Sequence, residues 1–233
     1  IFESHSLMGA ASAIQMGEVI EEVGCMMYEE PVNYLNSAVH KKVSDRVNVP
    51  IAGGERLYHR WDVRPYFEAQ SIDVLQPDVG LCGGFTEAKK VCDYADVYDI
   101  RIQAHVCGGP VATAASLHLE TAIPNFLIHE HHTYAIKSWN RELCLQDPQP
   151  VDGKFQVSET PGIGIELNDD IGKSSYFEIK GTGKAMSKWF EAEKNSSGTY
   201  ELTAKGKRDM ETAMRDGGGD GGGGDGGGGG GGG

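Results

Sequence analysis

Short apolar or β-branched runs recur along residues 1 to 130, each closing on an ionisable side chain and each followed by a stretch with helical spacing of its apolar positions. The runs are Ile1-Phe2 ending at Glu3, Met26-Met27-Tyr28 ending at Glu29, and Val49-Pro50-Ile51-Ala52 leading to Glu55. They continue with Ile72 to Pro77 ending at Asp78, Ile100 to Ala104 ending at His105, and Phe126-Leu127-Ile128 leading to Glu130. Successive ends lie 26, 26, 23, 27 and 25 residues apart, the length of a strand, a helix and two short loops. Between them, Ala88, Val91, Cys92, Ala95 and Tyr98 follow one helical face while Lys89, Lys90, Asp93 and Asp96 fall on the other. Ala10, Ala13, Ile14, Gly17 and Ile20 repeat that spacing earlier. Pro110 after Gly108-Gly109 suits a first helical turn, and Gly53-Gly54 and Gly83-Gly84 suit loops. Consecutive βα units with right-handed crossovers predict a parallel sheet covered by helices.

A doubly wound sheet and a (β/α) barrel share this local pattern, and the polar groups separate them. In a barrel every strand's C-terminal end faces one mouth, so six strand ends carrying Glu, Asp or His converge on one ligand. In an open sheet only the strands beside the switch point contribute. The chain has no GxGxxG and no GxxxxGK[ST], so the nucleotide-binding form of the open sheet has no support. The expected fold class is therefore α/β, a TIM-like barrel.

Composition narrows the functional classes. Thirty-four acidic against twenty-one basic residues give a net charge of −13, which argues against nucleic acid as a partner, because phosphate neutralisation needs clustered Lys and Arg. No apolar stretch approaches membrane-spanning length, and residues 1 to 20 do not resemble a signal peptide. A soluble, cytoplasmic protein with no membrane partner is expected. Cys25, Cys82, Cys92, Cys107 and Cys144 show no CxxC spacing, so reduced thiols are the simplest reading, with Cys82 and Cys107 as buried small side chains. Residues 1–137 are expected to form the barrel domain and 138–180 a C-terminal segment packing back on the barrel or on a cap. Within the unassigned stretch 181–216, Ala185 to Lys194 reads as a helix and Gly198 to Thr203 as a strand. Residues 217–233 are Gly and Asp alone and cannot build a core.

Glu3, Glu29 and Glu55, from adjacent strands, would repel one another unless a cation lay between them. Three hard oxygen ligands with room for substrate oxygens and water describe a Mg²⁺ site. Asp78 beside His105 would orient the ring and raise its basicity, as a general base requires. His129, His131 and His132 do not make a zinc cluster, because strand alternation parts His129 and His131 from Glu130 and His132. Arg56 and Arg60, after a ligand strand, are expected to pair with acids or to bind a distal hydroxyl.

Tyr28-Glu29-Glu30-Pro31, Gly53-Gly54-Glu55-Arg56, Gln76-Pro77-Asp78 with Cys82-Gly83-Gly84, Ala104-His105 and Phe126-Leu127-Ile128-His129-Glu130 occur in order, followed by Pro161-Gly162-Ile163-Gly164 and Glu166-Leu167. Over roughly residues 1 to 170 the chain resembles the enolase superfamily, in its mandelate racemase and muconate lactonising branch, and most closely the sugar-acid dehydratases of galactonate type. The resemblance implies a (β/α)7β barrel, here strands 3 to 8, without the N-terminal capping domain and first two strands. It implies Mg²⁺ held by Glu3, Glu29 and Glu55, a His105–Asp78 dyad that abstracts the α-proton of a carboxylate, and Glu130 hydrogen-bonding the resulting enediolate. Glu3 stands where most of the superfamily has Asp. His5, two residues on, matches the acid for the leaving hydroxyl in galactonate-type dehydratases and favours dehydration of a sugar acid. A racemase, epimerase or cycloisomerase is the second enzymatic reading, and a non-catalytic barrel fragment the rival. The complete protein is expected to be a homo-oligomer.

Overall fold

The computed structural model describes residues 1–132, 137–168, 192–194, 200–202 and 208. The chain divides into two compact units, Ile1–Asn168 and Asp169–Gly233. In the first, β1 (Phe2–Glu3), α1 (Ala10–Val23), β2 (Tyr28–Glu29), α2 (Ser37–Ser44), β3 (Ile51–Gly53), α3 (Arg60–Glu68), β4 (Val74–Leu75), α4 (Gly84–Asp96), β5 (Arg101–Ile102) and α5 (Pro110–Thr121) alternate as predicted, followed by α6 (Ser138–Arg141). The strands form one sheet in the order β1-β2-β3-β4-β5, every neighbouring pair parallel. An order that never reverses is the winding of a barrel wall, whereas a doubly wound sheet turns back at its switch point.

The helices form where the sequence periodicity placed them. In α1, Ala13, Gly17 and Ile20 are buried, and in α4, Ala88, Val91, Cys92 and Ala95. A Cβ on Gly17 would collide with the Val47 side chain, so only glycine lets α1 approach this closely. The Asn36 side chain opens α2 by accepting from Ala38 N (3.1 Å) and Val39 N (3.3 Å), and Gly24 closes α1 at φ 74°.

Strand alternation sorts side chains onto two faces. Tyr28, Ile51, Leu75 and Ile102 join the main core with helix residues such as Ala13, Val43, Val63, Phe67 and Val91. Met27, Ala52 and Val74 form a second, smaller cluster with Leu127 on the other face. Two residues beyond Met27 lies Glu29, and two and four beyond Val74 lie Gln76 and Asp78. The period of two therefore carries these polar groups to the face turned away from the helices.

The sixth predicted strand is reduced to one parallel bridge, Ile102 to Phe126, through Ile102 N to Asn125 O and Leu127 N to Ile102 O, both 2.8 Å. Beside the bridge, Arg101 Nη2 takes the Phe126 carbonyl (2.6 Å) and Arg101 Nε the Asn125 carbonyl (3.2 Å), which ties this segment to β5 through a side chain. Cys82 is buried as expected, but Cys107 is exposed, because it follows the strand end on the loop before α5.

In the second unit, β6 (Ala192–Lys194) pairs antiparallel with β7 (Tyr200–Leu202). The strand expected within 198–203 is β7. The helix expected over 185–194 is not formed at 192–194, which pair with β7 instead; residues 185–191 and the 217–233 tail lie outside the described residues. Among the described residues no helix is long and apolar enough to cross a membrane.

Candidate active site

The parallel registers set Glu3 level with Glu29, and Glu29 level with Ala52. Glu55 follows β3 by two residues, past Gly53-Gly54. At Gly54, φ is 133° and a Cβ would meet the Leu75 side chain at 2.8 Å and the Gln76 backbone nitrogen at 3.0 Å, so this turn requires glycine. The outcome is that Glu3, Glu29 and Glu55 each offer an oxygen within 4.8 Å of the others. Glu29 and Glu55 are buried; Glu3 is exposed. Burial pushes the Glu29 carboxyl up to about 7, and the charges of Glu3, Glu130 and Glu55 push the same way against a hydrogen bond with Gln76. Three hard oxygen donors, among them a Glu29 carboxyl that resists ionisation without positive charge beside it, fit Mg²⁺.

His105 follows β5 by three residues. Its Nδ1 lies 2.8 Å from Asp78 Oδ2 and its Nε2 3.3 Å from Glu55 Oε2. Asp78 is itself fixed, with Oδ1 accepting from Gly80 N (2.7 Å) and Leu81 N (3.1 Å). Burial raises the Asp78 carboxyl, but the hydrogen bond from His105 and those from the backbone outweigh it and hold it below the usual range. Burial likewise lowers His105; the Asp78 hydrogen bond and the charges of Glu55, Glu130 and Asp78 prevail and lift it to about 9. Glu130 points at the same region, its Oε2 accepting from Val106 N at 2.5 Å. Six of the seven predicted residues, Glu3, Glu29, Glu55, Asp78, His105 and Glu130, thus gather around one end of the sheet.

His5, the seventh, reaches the site by a different route from the one alternation predicted. The strand ends at Glu3, and His5 and Ser6 turn with φ of 50° and 61°, tied by Ser6 N to Glu30 O at 2.9 Å. The exposed His5 ring still lies within ligand distance of Glu3 and Glu30, and its Nε2 is 2.6 Å from Arg56 Nη2.

Glu30 and Gln76 are site residues to which the sequence reading gave no role, and Arg56, foreseen to pair with acids or to bind a distal hydroxyl, joins them. Arg56 Nη1 meets Glu30 Oε2 at 2.7 Å and Nη2 meets Glu55 Oε1 at 3.1 Å; of the two roles foreseen for it, pairing with acids is the one formed. Arg60 pairs with Glu87 at 2.8 Å. Glu30 is 2% exposed and sits at φ 42° ahead of Pro31; burial raises its carboxyl, Glu55 adds to this and Arg56 opposes it. Adjacency to a ligand was the available signal for Arg56 and Glu30, and a two-residue offset from Asp78 for Gln76.

His129 Nδ1 is 2.7 Å from Glu120 Oε2, and the His129 and His131 rings pack on Phe155, which keeps both away from Glu130. Cavities of about 300 and 660 Å³ beside α5 and the 146–165 segment are lined by none of the carboxylate cluster.

Residues 1–171 match the enolase C-terminal domain-like family, and the chain belongs to it. It is 33% identical over 169 residues to D-xylonate dehydratase of Haloferax volcanii, covering 72% of this chain and 41% of that protein. A candidate dehydratase from Salmonella enterica serovar Typhimurium, known from a crystal structure, superposes with TM-score 0.73 at 57% identity, over 74% of this chain and 43% of that one. A mandelate racemase/muconate lactonizing enzyme-like protein from Roseovarius sp. TM1035 does so with TM-score 0.70 at 32% identity, over 74% and 43%. The chain spans less than half the length of each of these three relatives.

Proposed function

We propose that this chain carries the metal, acid–base and carboxylate-binding groups of a Mg²⁺-dependent sugar-acid dehydratase. The observation that carries the reading is His105, held between Asp78 and Glu55 at the edge of a three-carboxylate cluster. Glu3, Glu29 and Glu55 would hold the cation, which when bound supplies positive charge to the substrate carboxylate as its α-carbon loses a proton. With Nδ1–H donated to Asp78, His105 would present Nε2 to the α-proton once a cation offset the carboxylates, Glu55 at 3.3 Å among them, that otherwise hold the ring protonated up to about 9. To hydrogen-bond the substrate carboxylate as charge moves onto it, Glu130 would have to carry a proton or act through a water, because a carboxylate only accepts. The Cβ–O bond then breaks; His5 supplies the proton with which the hydroxyl leaves as water, and the enol product tautomerises to a 2-keto-3-deoxy acid.

The test separates the two histidines. NMR of a sugar acid in D₂O should show that His105→Asn loses both α-proton exchange and product, while His5→Asn keeps exchange and loses elimination. Full dehydration by His5→Asn would remove the ground for preferring a dehydratase over an epimerase.

A further inference from the structure

Between the ends of β2 and β3 and the helices α2 and α3 lies a cavity of about 10 Å³, bordered by Glu30, His40, Gly53, Leu57, Tyr66 and Ile72. That is room for about one water. Two atoms of the bordering side chains lack a hydrogen-bond partner. Glu30 turns Oε2 to Arg56 at 2.7 Å while its Oε1 has none, and His40 Nδ1 has none. Both residues are 2% exposed, so bulk solvent does not satisfy them, and buried polar atoms left alone are costly. The neighbouring hydroxyls do not fill the need. Tyr66 donates its own to the Tyr34 carbonyl, and Ser6, near enough to draw the Glu30 carboxyl downward, does not complete a bond with Oε1.

The His40 ring is hydrogen-bonded to the Val32 backbone, a contact that favours the protonated ring. The partner is therefore the carbonyl, and because Nδ1 is unpartnered the donor is Nε2–H. Burial keeps this ring neutral down to about 4, which leaves Nδ1 as an acceptor. We propose that the cavity is a binding site for a single water molecule, which donates to His40 Nδ1 and makes its second hydrogen bond with Glu30 Oε1. Water can give a hydrogen to Oε1 or take one from it, so the assignment is the same for either protonation state of Glu30. The bridge ties α2 to the end of β2 and holds the carboxyl whose other oxygen keeps Arg56 beside Glu55, 3.1 Å away. It does not rest on the dehydratase reading.

Gly53→Ala tests the site by the sign of its effect. A Cβ there would have His40 Cε1 as its nearest neighbour, at 3.8 Å, an ordinary contact, and Gly53 is not among the glycines with positive φ. The added methyl takes the room of the water without a clash. It cannot reproduce the water's hydrogen bonds, so both polar atoms are stranded. In urea titrations of the full chain at neutral pH, the ratio of folded to unfolded protein should fall by about five- to a hundredfold. A dry cavity predicts the reverse, a rise of about two- to fivefold, because alanine restricts the unfolded chain. A second variant separates water loss from crowding. In a His40→Phe background, which has no Nδ1 to strand, the effect of Gly53→Ala should shrink by at least about twofold. A crystal structure of the full chain should show one solvent peak within hydrogen-bond distance of both Glu30 Oε1 and His40 Nδ1. Stability that rises or stays level in Gly53→Ala, an undiminished loss in the His40→Phe background, or no such peak where other buried waters are visible would overturn the proposal.

Discussion

Replacing Asp78 by Asn leaves the shape of the dyad almost unchanged and should still reverse its chemistry. Asp78 Oδ1 accepts two backbone N–H groups, from Gly80 and Leu81, so the amide oxygen of Asn must stay there and its NH₂ must take the place of Oδ2, 2.8 Å from His105 Nδ1. An NH₂ facing Nδ1 makes that nitrogen the acceptor and moves the ring hydrogen to Nε2, the atom that has to receive the α-proton. In the serine-protease triad the equivalent change of tautomer costs about 10⁴ in kcat. We expect α-proton exchange in D₂O to fall by a comparable ~10³–10⁴-fold, with Mg²⁺ affinity, read by calorimetry, close to wild type.

The same substitution has a thermodynamic signature in cation-free protein. A His105 held at about 9, against an ordinary 6.5, contributes ~3 kcal/mol of stability below pH 6.5. The folded state binds the proton more tightly than the unfolded one, so this stability is lost as pH rises from 6.5 through 9. Urea titrations across that window should show the loss in wild type and a smaller one in Asp78→Asn, where only the Glu55 and Glu130 charges still raise the ring. Exchange within tenfold of wild type, or a ¹⁵N spectrum with His105 Nε2 still unprotonated, would refute the reasoning.

Glu55→Gln should weaken Mg²⁺ binding by at least ~10-fold, since second-shell losses alone reach that size and an amide is a poorer ligand for a hard cation; equal affinities by calorimetry would remove Glu55 from the site. His40, 2% exposed and lowered mainly by burial to about 4, predicts the opposite pH trend from His105. The unfolded chain takes up a proton between pH 6.5 and 4 that the folded chain refuses, so stability should fall by ~3 kcal/mol across that range, and His40→Phe, measured by urea titration, should lack this component.

Much of the fold and site was legible because its information is local. A period of 3.6 buries Ala88, Val91, Cys92 and Ala95 on one side of α4, and a period of two sends Glu29 and Asp78 to the face opposite the helices, whatever the rest of the chain does. The even spacing of acids and histidines followed from βα units of nearly constant length. What the sequence left open depends on contacts between distant segments. His5 was placed by strand alternation, yet the strand stops at Glu3 and a left-handed turn brings the ring to Arg56, 51 residues away. The sixth strand is one bridge to Ile102, and Arg101 holds the Phe126 carbonyl beside it, contacts between distant segments that periodicity does not register. Nor does any motif say that the Arg56 fork joins Glu30, Glu55 and His5. That choice is settled only where β1, β2 and β3 converge, because a hydrogen bond is selected by distance and direction in space.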